Sequence, residues 1–143
     1  MEIKKFCSLP EDAVKIRKAV FVEEQGFQEE FDSVDHEATH FVAYRDGTPI
    51  ATCRIFADDE DATAYILGRF AVLRSCREMG VGREMMNAVE QYAREQGITS
   101  LRLHAQCRVE GFYRKLGFVS YSGVELEEDC PHVWMKKELS DKT

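Results

Sequence analysis

The chain has 143 residues, 44% of them hydrophobic and 31% charged, which is enough for one domain (1–143) with a real core. Its net charge of −7 repels phosphate backbones and anionic lipid, so a general nucleic-acid or membrane-surface binder is excluded. That charge suits a cationic small-molecule partner or simply a solvated surface.

In chain order, "MEIKKFCSLPED" lacks the apolar core and small-residue cleavage site of a signal peptide. No later run reaches the roughly 18 apolar residues of a membrane span, so a cytoplasmic protein is expected. "EIKKF" opens as a short strand. "SLPEDAVKIRKAVFVEEQG" then reads as a helix, with Ser8 as N-cap and Pro10 and two acids in the first turn. Ala13, Ile16 and Val20 fall at helical spacing with Phe21 beside them, and Gly26 is the stop. "FQEEFDSVDHEAT" is acidic and predicts a short helix or loop. "HFVAYRDGTPIATCRIF" predicts a hairpin turning on Asp46-Gly47, and "ATAYILGRFAVL" a nearly continuous apolar strand, hence a central one. "GREMMNAVEQYAREQG" puts Val81, Met85, Val89 and Tyr92 on one helical face, with Met86 and Ala93 beside it and Gly97 as the stop. "TSLRLHA" alternates as a strand, and "RVEGFYRKLG" predicts a short helix. "FVSYSGVEL" and "HVWMKKEL" close the chain as strands around an acidic turn. The whole is a mixed α/β domain.

Five cysteines, Cys7, Cys53, Cys76, Cys107 and Cys130, form no Cys-x-x-Cys pair. Reduced thiols in packing roles are expected, and neither a disulfide framework nor a zinc site.

The stretch "RSCREMGVGREMM", residues 74–86, breaks the acidic trend. From Arg74 to Arg83 it holds three arginines and one glutamate, and two glycines stand where the long helix starts. The first N–H groups of a helix lack internal partners and carry the positive end of its dipole, so an anion is the natural guest and phosphate the commonest. No Gly-Lys-Ser/Thr follows, which rules out a Walker A loop, and the third glycine of a dinucleotide fingerprint would fall at Met85.

Arg77-Glu78-Met79-Gly80-Val81-Gly82 resembles the Arg/Gln-x-x-Gly-x-Gly/Ala loop of the GNAT acetyltransferase superfamily. "GFYRKLGF", about thirty residues later, resembles that family's carboxy-terminal signature. "RKAVFVEEQG", "GRFAV", "AQ…FY" and "EEDCPHVWM" are similar to its ElaA/YjcF-like branch. The resemblance implies a mostly antiparallel central sheet flanked by helices, with a splayed cleft between the central strands. It further implies acetyl-coenzyme A as cosubstrate, an amine as acceptor, no metal, and a homodimer by family analogy. The pyrophosphate is then expected on the N–H groups of Met79, Gly80, Val81, Gly82 and Arg83, with Arg77 and Arg83 adding charge and the pantetheine arm beside Ala71 and Val72. Gln106, seven residues before Tyr113, stands where many members carry the asparagine that binds the pantetheine. Tyr113 is the expected acid for the leaving sulfur. The base stays open between Glu24, His132, His40, His104 and a water chain, with His36 in the acidic loop least informative. Arg69 reads as either a pocket-orienting group or a structural ion pair, and Trp134 as core. Two other readings stand beside the enzyme: a non-catalytic acyl-coenzyme A sensor, and an enzyme similar to the acyl-homoserine-lactone synthases, for which the chain is short.

Overall fold

Asp46 and Gly47 both take positive φ, 51° and 80°, the backbone that a two-residue hairpin turn requires. They fold Thr39–Arg45 (β2) back onto Thr48–Asp58 (β3). The computed structural model describes residues 1–27 and 31–139; part of the expected acidic loop, 28–30, lies outside them. Glu2–Phe6 (β1) lines the outer side of β2, and Asp61–Val72 (β4) runs antiparallel to β3. A crossover through the long helix then brings Ser100–Gln106 (β5) in parallel to β4. Cys130–Glu138 (β8) runs antiparallel to β5, and two short strands, Val119–Ser120 (β6) and Glu125–Glu127 (β7), pair along its far side. The order is β1-β2-β3-β4-β5-β8-β6, with β7 beside β8: a mixed, mostly antiparallel sheet, as expected.

Helices cover both faces. Val81–Glu95 (α2) buries Val81, Met85, Met86, Val89 and Ala93 against Phe41, Leu67, Leu101 and Leu103. Each large side chain so buried contributes roughly 1.5–3 kcal/mol. On the other face Ala13, Ile16, Val20 and Phe21 of the first helix pack on Val42 and Ala71. A short helix, Glu110–Lys115 (α3), follows β5.

Four expectations change. The first helix, Glu11–Arg17 (α1), is capped at Pro10 and not at Ser8, because the Pro10 carbonyl accepts the N–H groups of Ala13 and Val14. It then widens into a π-helical stretch, Lys18–Glu24, a geometry frequent near functional sites. β4 is bulged: Thr52 opposes Ala71 and Arg54 opposes Gly68, so Arg69 and Phe70 share one position opposite Cys53, and Arg69 has φ 51°. "FVSYSGVEL" breaks into β6 and β7 around 121–124, and Trp134 is half-buried on a cleft wall instead of in the core.

Candidate active site

Strands β4 and β5 hydrogen-bond only over 64–67 and 100–103. Past Leu67 the bulge turns β4 away from its parallel neighbour, and the two strands enclose a cleft of about 920 Å³. The backbone of β4 has lost its neighbour here. Leu73 N–H donates to Ile50 O of β3, so strand alternation turns the N–H and C=O of Val72 into the cleft. Arg77 Nε already donates to that carbonyl at 2.9 Å.

The loop after β4 closes one end of the cleft. Glu78 and Gly80 both have positive φ, 65° and 79°, with Met79 between them at negative φ. Such alternation points successive N–H groups into one concavity, a nest for an anion. Gly80 caps α2 from this left-handed conformation, and the N–H groups of 78–83 donate to no acceptor among the described residues. Gly82 has a different constraint: a Cβ there would lie 2.7 Å from Phe112 Cζ. Gly80 and Gly82 therefore serve separate purposes, one backbone conformation and the other close packing.

Of the residues expected at the cofactor, Ala71, Val72, Arg77, Gly80, Val81, Gly82, Arg83, Gln106 and Tyr113 all line the cleft. Met79 alone does not, and its side chain is exposed. Tyr113 is buried among Phe70, Phe112 and Phe118. Burial, with Cys53 adding a smaller effect, pushes its hydroxyl above the ordinary tyrosine range, so it stays protonated through neutral pH. Gln106 Nε2 donates to Gln25 Oε1 at 2.9 Å and Gln106 Oε1 accepts from Arg108 Nε at 2.7 Å, so its amide spans the cleft to the first helix.

Glu24 lies at the end of the π-helical stretch, where Arg77 grips it with two hydrogen bonds of 2.7 and 2.8 Å and Arg74 approaches to 3.2 Å. The Arg77 guanidinium chiefly, with Arg74, holds its carboxyl down at about 2. A carboxylate so stabilised is a weak proton acceptor at neutral pH. Its geometry instead ties the basic loop to the first helix.

His132 and His104 meet on the opposite wall. Strand register places His104 opposite Trp134 and Gln106 opposite His132, and His104 stacks 4.8 Å from each of the His132 and Trp134 rings. The other histidines stand apart: His40 is buried with its Nε2 2.9 Å from Asp35 O, burial lowers its pKa, and His36 is exposed. Neither lines the cleft. Arg69 pairs with Asp32 at 3.3 Å beside a buried network in which Asp35 joins Arg17 and Arg54. Gln25 and Glu127, both on the cleft, were not singled out from sequence. Gln25 differs little from any polar helix end, and Glu127 from any acid in a solvated turn; only the pairing of β7 with β8 brings it beside His132.

The model of the Acetyltransferase (GNAT) family matches residues 8–118. The chain is 36% identical to YyaT of Bacillus subtilis over 90% of this chain and 88% of that protein. It is 35% identical to the uncharacterized N-acetyltransferase YjcF of the same organism, over 89% and 91%. The crystal structure of Escherichia coli ElaA superposes with a TM-score of 0.85 at 25% identity, over 96% of this chain and 99% of ElaA. A family model spanning most of the chain, on a sheet that splays beside a glycine-shaped helix start, leads to one conclusion: the chain belongs to the GNAT acetyltransferase family.

Proposed function

We propose that this chain transfers the acetyl group of acetyl-coenzyme A to the amine of a small molecule by direct attack within one ternary complex. The observation that carries the reading is the meeting, at one end of the splay, of the unpartnered N–H groups of 78–83 with the inward N–H of Val72. The residues present fit the cosubstrate. A nest of N–H groups with Arg83 beside it suits a pyrophosphate, and a free strand edge suits an amide-bearing arm. Coenzyme A complexes among proteins of the same fold, such as an aminoglycoside 6'-N-acetyltransferase at TM-score 0.76, are in keeping with it.

The thioester supplies an activated acyl carbon; the rest falls to the chain. A lysine-like amine has a pKa near 10, so freeing it at pH 7 costs about 4 kcal/mol. His132 is the base that takes this proton: it lines the cleft, and with Nδ1 engaged by the Cys130 carbonyl its Nε2 is left as the ring's proton acceptor. The nitrogen then bonds the acyl carbon, the carbon–sulfur bond breaks, Tyr113 gives its hydroxyl proton to the departing sulfur, and the nitrogen's second proton returns to the tyrosinate, leaving a neutral amide and the free thiol. The N–H of Val72 holds the acyl oxygen through the step. Glu24 acts as a positioning residue, with Arg77 held by it and turned from the phosphate charge toward the Val72 carbonyl.

Calorimetry with coenzyme A tests the reading. The parent is expected to bind, and Gly80→Val, which forces a β-branched residue to φ 79°, is expected to bind about tenfold more weakly, as for one or two lost hydrogen bonds. A parent that does not bind overturns it.

A further inference from the structure

The two-histidine wall carries more than a base. His132 Nδ1 lies 2.8 Å from the carbonyl of Cys130, and a carbonyl only accepts, so Nδ1 carries the hydrogen. The neutral ring therefore presents the lone pair of Nε2, and this lone pair faces Glu127 Oε2 at 3.4 Å. Two acceptors in opposition repel each other unless a proton donor stands with them. The same oxygen lies 3.3 Å from His104 Nδ1. His104 Nε2 is 2.9 Å from Glu125 Oε1 but out of line for a hydrogen bond, and it is buried without a partner. The His132 side chain is only 7% exposed while Glu127 is 52% exposed, so the pair is closed on the imidazole side and open to an incoming cation on the carboxylate side. Trp134, donating from Nε1 to Glu125 at 3.1 Å, stacks on His104 and completes the wall.

We propose that this cluster is the acceptor site, and that it docks a primary amine as its ammonium between Glu127, His132 and His104. An ammonium has three N–H donors and one positive charge, which answers the acceptors facing each other here, and the Trp134–His104 face favours a cation. The same wall sets the substrate class. Glu125 and Glu127 flank the pocket, and Glu128 and Asp129 continue the acidic run at the β7–β8 turn. An acceptor with a carboxylate near its amine is repelled, and one with a second cationic centre is favoured. Docked there, the ammonium lies against the Nε2 that is to take its proton, and Glu127 stabilises the imidazolium that results. The inference rests on the acetyltransferase reading for its chemistry, but its binding site stands apart from that reading.

The test uses three amines of equal reach that differ in charge at the far end: 1,4-diaminobutane, butylamine and 4-aminobutanoate. Trp134 is the chain's one tryptophan, so its fluorescence reports the site without any turnover. Titrations on the full chain, with and without coenzyme A, are expected to give saturable changes, tightest for the diamine and weakest for 4-aminobutanoate. Glu127→Gln is expected to weaken the diamine about two- to fivefold, as for a partly exposed ion pair, and to leave coenzyme A affinity unchanged. No saturable response to the diamine, equal or tighter binding of 4-aminobutanoate, or a Glu127→Gln variant with the parent's affinities would each overturn the proposal. Loss of coenzyme A binding by the parent would instead sink the acetyltransferase reading while leaving the order of amines to be read.

Discussion

Tyr113 illustrates how much a single residue's role depends on its surroundings. Its ring contacts Phe70, Phe112 and Phe118, all of which phenylalanine would reproduce, while its hydroxyl is held protonated by burial. Tyr113→Phe therefore separates packing from proton donation. Turnover is expected to fall about 100-fold, the low end of general-acid effects because a thiolate leaves readily, with coenzyme A affinity unchanged. Steady-state kinetics beside calorimetry check this, and unchanged turnover removes the tyrosine from the chemistry. The tyrosine was legible in the sequence because "GFYRKLGF" surrounds it. Glu24 was legible as a candidate base at the end of the first helix but not as a positioning residue: that role is set by Arg77, 53 positions away, and no local pattern announces a bidentate grip between a helix end and a distant loop. Glu127 was hidden for a related reason. An acidic turn ordinarily means a solvated one, and only the register of β7 on β8 turns it toward two imidazoles.

At the scale of elements, periodicity identified α2 and its apolar buried residues, with Tyr92 only half-buried and Glu90 buried unannounced, because a 3.6-residue stripe on a long amphipathic helix is a strong signal. The bulge of β4 was not legible, since it sits at Arg69, a residue type with no preference for positive φ. The splay that opens the cleft thus begins at a local irregularity inside a strand that reads as regular. The glycines of the loop were legible as a pair but not as two separate devices. Gly82 lies in the first turn of α2, where alanine is the better helix former by up to about 1 kcal/mol, yet its Cβ would press on the Phe112 ring. Gly82→Ala is therefore expected to destabilise the parent, whereas in a Phe112→Leu background the same change is expected to stabilise by about 0.5–1 kcal/mol. A double-mutant cycle in urea reads the sign change, and equal effects in both backgrounds would show that the ring is not the constraint.

For the molecule as a whole, the first helix is joined to the sheet by charge as well as by apolar contact. Arg17, 1% exposed, bonds Asp35 at 2.8 and 3.0 Å, and Arg54 of β3 bonds both Asp35 and Asp32. Burial raises the Asp35 pKa, but the hydrogen bonds and charges of Arg17 and Arg54 outweigh it and hold the carboxyl down to about 2. The unfolded carboxyl titrates near 3.8, so below that pH the unfolded chain binds more protons than the folded one. The stabilisation is then complete above about pH 4 and lost as pH falls toward 2. Its size is on the order of 2 kcal/mol, and Asp32, held down chiefly by Arg54, adds in the same direction. Asp35→Asn removes the carboxylate that joins the buried Arg17 and Arg54 and is expected to cost about 3–5 kcal/mol at pH 6. It also removes one titration, so the variant's stability should fall less steeply between pH 4 and 2 than the parent's. Urea midpoints across that range distinguish the two cases. Parallel profiles would mean that Asp35 is not what couples the helix, and with it the Glu24 end of the cleft, to the sheet in acid.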